Sequence, residues 1–422
     1  MLAALAPIVI ALIAFLLRIV NLGRINSFIF DEVYYVDGAR DLLKFGVEVS
    51  GSKPEFIVHP PLGKWLIGAG IKVFGDSAFG WRIASAIAGT AMILLVARIV
   101  HKLFRDTFLT GLASGLMALD GLALVHSRTA LLDNFLALFI LLATLLFISK
   151  QYWWTGVVLG CAMATKWSAL YFVIAFGAIG LYRAFTHHSG RALIKPTAQR
   201  VMQFGLIPIA VYISSWIGWF ASNRGWDRNH SSNVFSSFIY YHREMLGFHT
   251  GLVEKHSYDS NPWGWMILAR PTSFFYGSPK GCGAKSCSQE VLALGTPFLW
   301  WLGTVAVIVV FGLWIRSAIT RRVDPALTII VTGMAAGYLP WFFFQKRTVF
   351  SFYAIAFEPF VILALVYCAR ALKSNYGRTG EFLLASLITL IFLNFIYFLP
   401  LYMGEILTYD AWHARMWFTS WI

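Results

Sequence analysis

Asp31 and Glu32 stand side by side where the first long apolar run of the chain ends, and the segment HPPLGKW (His59 to Trp65) follows a short way downstream. A carboxylate held at a membrane surface suits the removal of a proton from a hydroxyl, as a general base does. Further ionisable residues recur near the same face of the apolar runs: His59, Lys64, Arg82, Asp120, Arg128, Asp133, Lys166 and Arg347. Charges near or within spans are costly and mark function by default. The set mixes acids and bases, as a site for an anionic substrate requires. Each member also has a structural reading. Acids at helix starts cap them, Lys166 can snorkel to the interface, Arg128 can neutralise Asp120 or Asp133, and Arg82 beside Trp81 can anchor a span.

The elements that must position these groups follow from composition. Of 422 residues, 58% are hydrophobic, 17% aromatic and only 13% charged, too apolar for a soluble domain. Since a spanning helix needs about 20 apolar residues, runs near 2–22, 80–100, 107–125, 129–148, 153–183, 201–221, 294–315, 325–345, 349–369 and 381–402 read as spans. The run at 153–183 is long enough for two, broken near Lys166. The expectation is an all-α polytopic membrane protein of about 11 transmembrane helices, one domain over 1–422 with outer loops at about 23–80 and 222–293.

A net charge of +14 would suggest nucleic acid in a soluble protein, but here the cations follow the membrane. Arg98, Lys102 and Arg105, then Lys150, then Arg183 to Arg200, then Arg316 to Arg322, then Arg370 to Arg378 fall in alternate connections. The positive-inside rule makes these cytoplasmic, so a nucleic-acid partner is excluded. The N-terminus is then cytoplasmic and most acids face the other side. MLAALAPIVIALIAFLLRIV has no basic n-region, so it reads as an uncleaved first span.

In the first outer loop, Asp37, Arg40, Asp41 and Lys44 recur at helical spacing, and PLGKWLIGAGIKVF is too short to span. Both pieces read as interfacial helices, the second with Lys64 and Lys72 near headgroups. Cys282 and Cys287 share an outer loop in which an oxidising compartment permits a disulfide. No ligand cluster for a metal is evident.

Taken together, these segments resemble the protein O-mannosyltransferase family, membrane glycosyltransferases of the GT-C fold that use a polyprenyl-phosphate mannose donor. FDEVYYVDGA, HPPLGKW, FGWRIASAIAGT, SRTALLDNFLALF, GCAMATKWSALY, HSYDSNPWGWMILARP, CSQEVLALGTP and KRTVFSFYAIAFEPF carry the likeness, in order, over nearly the whole chain. HSYDSNPWGWMILARP and CSQEVLALGTP look like bacterial, especially actinobacterial, members. The loop at 222–293 is too short for the carbohydrate-recognition (MIR) insert of eukaryotic members, which favours a bacterial-type enzyme in the plasma membrane.

The resemblance implies transfer of mannose to Ser/Thr hydroxyls of secreted polypeptides on the outer side, with inversion, without a cofactor, and with the Sec translocon and membrane lipid as neighbours. It makes Asp31 the base, Glu32 then positioning the acceptor or nearby cations. By chemistry Arg82 is favoured for the donor phosphate, its planar fork suiting bidentate contact, with Lys166, Arg347 and Arg128 behind it. His59, Lys64, Asp120 and Asp133 are further candidates. Tyr258, Asn261, Pro262, Trp263 and Trp265 are candidates for the acceptor path. Two other classes compete: a sister GT-C enzyme acting on lipid A or a cell-wall glycan, and a secondary transporter with Asp120, Asp133 and Lys166 as its ion pathway. HPPLGKW, NPWGW and CSQEVLALGTP argue against the first, and the lack of repeated halves against the second.

Overall fold

A computed structural model describes residues 2–422, and side chains from Leu5 onwards. In chain order the helices are α1 (Leu2–Ile19), α2 (Glu32–Phe45), α3 (Leu62–Phe74), α4 (Ala78–Phe104), α5 (Thr107–Ala118), α6 (Gly121–His126), α7 (Leu132–Ile148), α8 (Tyr152–Met163) and α9 (Ala169–His187). There follow α10 (Ile194–Val201), α11 (Ile207–Ser215), α12 (Ile217–Ala221), α13 (Val234–Gly251), α14 (Pro297–Ile319), α15 (Pro325–Tyr338), α16 (Glu358–Tyr402) and α17 (Tyr409–His413).

Among the described residues, five helices are long and apolar enough to cross a membrane: those starting at Ala78, Ala169, Pro297, Pro325 and Glu358; α1, α5 and α7 are shorter apolar ones. The count of about eleven is not confirmed by this measure, because several apolar runs are broken. Residues 107–125 divide into α5 and α6 at Asp120, whose carboxylate accepts the Ala123 N–H and caps α6. The run at 153–183 breaks between Met163 and Ala169, where Lys166 lies. Within α16 the runs at 349–369 and 381–402 are joined through Gly377, whose φ of 51° and ψ of −126° are not helical. The chain reverses there, bringing Gly380 against the Leu372 carbonyl.

The core is built around α4, which packs against α1, α3, α5 and α7. Close approach is needed where α4 meets the turn after α6: a Cβ on Gly89 would lie 1.9 Å from the Ser127 hydroxyl. The segment between α1 and α4 contains the two expected amphipathic helices, α2 and α3, packed on each other. One expectation for α3 is corrected. Lys64 does not reach the headgroups; it is buried and paired with Glu48 at 2.7 Å, because it sits on the inward stripe with Ile67 and Ile71. The loop at 222–293 supplies β3 (Thr272–Gly277) and β4 (Cys287–Ala293), and the segment after α16 adds β5 (Ile406–Thr408) to make an antiparallel sheet of order β3-β4-β5, with a Cys282–Cys287 disulfide at the start of β4; a small hairpin, β1 (Val49–Ser50) with β2 (Lys53–Pro54), lies in the loop at 23–80.

Candidate active site

The turn before α2 is set by an unusual backbone. Phe30 has a φ of 52°, the left-handed region that a bulky side chain rarely adopts. Its ring is held by Phe274 at 4.9 Å and, edge-on, by Phe350 and Phe352. This turn delivers the two carboxylates into different surroundings.

Glu32 is wholly buried and saturated. Oε1 accepts from Arg82 Nε and the Ala130 N–H, both at 2.8 Å. Oε2 accepts from Arg82 Nη2 at 2.7 Å and the Ile29 N–H at 2.9 Å. Arg82 is spent in turn, its remaining donors going to the carbonyls of Leu22, Ile25 and Ser27. The phosphate contact favoured for Arg82 is therefore corrected: every guanidinium N–H is already used inside the protein. Arg128 is also turned to structure, its Nη1 and Nη2 donating to the carbonyls of Leu17, Arg18, Val20 and Asn21 at the end of α1 and satisfying orphan groups of that helix. Asp120 also serves structure, accepting from the Thr296 N–H and Trp300 Nε1 besides its cap. For Asp120 the capping reading fits.

Asp31 differs. It occupies the N-cap position of α2 yet makes no side-chain capping bond, and its one side-chain hydrogen bond is donated by the Tyr35 hydroxyl at 3.4 Å. Burial pushes its carboxyl up to about 6; Lys166 opposes this, Asp133 adds to it, and the Tyr35 bond opposes it. A half-buried carboxylate with most of its acceptor capacity unused, titrating near neutrality, is suited to accept a proton.

Lys166 and Asp133 face each other at 2.8 and 2.9 Å, with the ammonium 4.4 Å from the centre of the Tyr353 ring. Asp133 thereby holds Lys166 at the break between α8 and α9. The HPPLGKW segment fixes that break, because the Leu62 N–H donates to the Ala164 carbonyl at 3.1 Å.

Lys166 opens on a cavity of about 400 Å³ bordered also by His59, His249, Arg347 and Tyr353. Its walls are apolar, with Leu170, Leu246, Trp341 and Phe344 among them. Arg347 donates from Nη2 to His249 Nδ1 at 3.4 Å, and its buried Nε has no partner. His249 Nε2 donates to the Val58 carbonyl at 2.7 Å, so the ring is neutral with Nδ1 as acceptor. Burial holds it down at about 4, the Val58 bond opposing and Arg347 and Lys166 adding. His59 is likewise pushed well below the usual histidine range, first by burial and then by Lys166 and His249. The cavity thus presents an unspent guanidinium, an ammonium and neutral imidazoles at the polar end of an apolar slot. That composition fits a phosphate carrying a long hydrocarbon.

The structure therefore brings Asp31, His59, Asp133, Lys166 and Arg347 into one neighbourhood and assigns Glu32, Lys64, Arg82, Asp120 and Arg128 to internal pairing. Sequence reasoning missed His249, Tyr35 and Tyr353. His242 and His249 are seven residues apart on α13, a spacing that puts both on one face, and Tyr35 lies one turn after Asp31. Of the acceptor-path candidates, Trp265 is 1% exposed and bonded to the Ser260 carbonyl, and Pro262 is buried. Asn261 caps its own turn, leaving Trp263 and Tyr258 accessible.

Residues 58–216 match a family model described as dolichyl-phosphate-mannose-protein mannosyltransferase. Residues 234–421 match one described as the C-terminal four-TMM region of protein-O-mannosyltransferase. The chain is 31% identical to the polyprenol-phosphate-mannose–protein mannosyltransferase of Mycobacterium tuberculosis, over 98% of this chain and 90% of that protein. It is also 31% identical to that of Corynebacterium glutamicum, over 98% and 92%. Among solved structures, the Saccharomyces cerevisiae protein O-mannosyltransferase Pmt1-Pmt2 complex bound to the sugar donor superposes with a TM-score of 0.83 at 16% identity, covering 100% of this chain and 93% of that one. ArnT of Cupriavidus metallidurans bound to undecaprenyl phosphate gives 0.52 at 14% identity, over 86% and 60%. These two likenesses establish a shared GT-C fold.

Proposed function

This chain belongs to the protein O-mannosyltransferase family, and from that premise we propose that Asp31 is the base with which it transfers mannose from polyprenyl-phosphate mannose to a serine or threonine of a polypeptide. The observation that carries this reading is the unspent Asp31 carboxylate, set near Lys166 at the polar end of an apolar cavity.

In this mechanism the acceptor hydroxyl gives its proton to Asp31 as its oxygen attacks the anomeric carbon. The bond from that carbon to the phosphate oxygen breaks, and its electron pair leaves with the phosphate. Attack opposite the leaving group inverts the centre. Arg347 and Lys166 hold the phosphate and stabilise the charge that grows on it, an effect strongest where water is scarce. The lipid lies along Leu170, Leu246 and Phe344. Asp133 keeps Lys166 in place, and Glu32 with Arg82 keeps the turn that aims Asp31. Since the chain's own cations supply the charge, the reaction needs no cofactor. We place the site on the outer face of a bacterial plasma membrane, where secreted chains leave the translocon, on the strength of the charge asymmetry between connections.

The test is incubation of purified protein with labelled polyprenyl-phosphate mannose and a serine/threonine-rich peptide. Mannosyl peptide is expected from the parent and none from Asp31→Asn, which should still bind donor. Undiminished transfer by the variant would remove Asp31 from this role.

A further inference from the structure

At the end of the bundle remote from Asp31, a second cavity of about 540 Å³ lies between α5, α14 and the two arms of α16. Its walls are almost wholly aliphatic, from Leu116, Val309 and Leu313 to Leu384 and Ile391. Polar side chains are few: Tyr367 and Cys368 along the wall, and Asn375 and Tyr376 just before the reversal at Gly377. From Leu302 to Leu313 the groove follows twelve residues of α14, about 16 Å of helix. That is roughly half of a hydrocarbon core of about 30 Å, the depth of one leaflet.

Two cations, Arg370 and Lys373, alternate with lining residues on the first arm of α16. Lys373 lies over the Phe108 ring at 4.7 Å and Arg370 over Phe104 at 5.2 Å, while Arg378, Arg316, Arg321 and Arg322 are exposed nearby in sequence to the groove's helix ends. The acids there are fewer. Asp106 caps α5 through the Leu109 N–H, Asp324 accepts from the Tyr367 hydroxyl and caps α15, and Glu381 is exposed.

We propose that this groove is a binding site for an anionic diacyl phospholipid of the leaflet opposite the active site, its acyl chain against α14 and its headgroup on Lys373 and Arg370. The length of the groove fits an acyl chain and is short for a polyprenyl carrier, and the basic rim matches an anionic headgroup. A zwitterionic lipid would gain the apolar contact without the rim. The chemistry is separate from donor binding, because the groove shares no lining residue with the cavity at Lys166.

Native mass spectrometry of detergent-purified protein mixed with equal amounts of phosphatidylglycerol and phosphatidylcholine tests this. The parent is expected to retain phosphatidylglycerol preferentially, and excess inorganic phosphate should not displace it. Each of Lys373→Ala and Arg370→Ala should weaken its retention about fivefold, with mannosyl transfer unchanged. Val309→Trp, at an exposed position on the groove wall, should exclude lipid by filling it. Equal retention of both lipids, unchanged retention in all variants, preference for polyprenyl phosphate, or a groove covered by a second copy of the chain would each overturn the proposal.

Discussion

Two neighbouring carboxylates, Asp31 and Glu32, show how much the surroundings decide about a residue. Glu32 has four donors and Asp31 one long hydrogen bond, so one is a brace and the other is free to react. With Asp31 as the proposed base and its carboxyl raised to about 6, kcat/KM should fall with unit slope as pH drops below about 6, where the base is protonated. A pH–rate profile flat to pH 5 would count against this. The same group costs stability. With its folded value above the unfolded one, the cost is complete above about pH 6 and vanishes as pH falls towards the ordinary carboxylate range. Asp31→Asn should therefore melt higher than the parent at pH 7.5, an advantage that is lost only at about pH 3, below both values. Arg82→Ala should act oppositely, leaving Glu32 buried without its partner at a cost of about 3–5 kcal/mol. Thermal unfolding checks this, and the folded fraction should bind donor normally.

At the level of elements, the cavity depends on segments that stop being helical. Lys166 reaches it from the break between α8 and α9, and Arg347 from the loop after the 3-10 turn Leu339–Phe343. That loop is clipped to the second outer loop, with the Thr348 N–H on the Leu252 carbonyl and the Val349 N–H on Asp259. Arg347→Ala should weaken donor binding by about 1.5–3 kcal/mol, the range for a hydrogen bond to a charged group, readable as a Kd rise in lipid-linked sugar titration. An unaltered Kd would assign the phosphate elsewhere. Much of this level was legible in the sequence. Apolar run lengths gave the helical character, four-residue charge spacing gave α2, and the basic break at Lys166 was visible within residues 153–183. What could not be read was which cation turns inward. Arg82 and Glu32 are fifty residues apart, and nothing local distinguishes a guanidinium that will meet five internal acceptors from one, like Arg347, that keeps donors free. That difference exists only after α4 has packed beside the first outer loop.

For the whole molecule, the proposed orientation puts the end of the bundle that carries Asp31 outside and the reversal at Gly377 on the cytoplasmic side, as the positive-inside rule expects. In a background lacking Cys161 and Cys368, Lys255→Cys should react with an impermeant thiol reagent in intact cells and Arg378→Cys only after permeabilisation. The reverse pattern would invert the topology. Composition and the placement of cations were enough to anticipate a multi-span protein, whereas the number of crossings was not, because Asp120, Gly377 and the Lys166 break divide or join apolar runs in ways that length alone does not register. One buried contact also sets a schedule. Glu32 is completed by Arg82 and by the backbone of Ala130, so the turn carrying Asp31 lacks its brace until about a hundred further residues have been synthesised and threaded into the bilayer. During translation the two carboxylates thus emerge well before the residues that hold their turn in place.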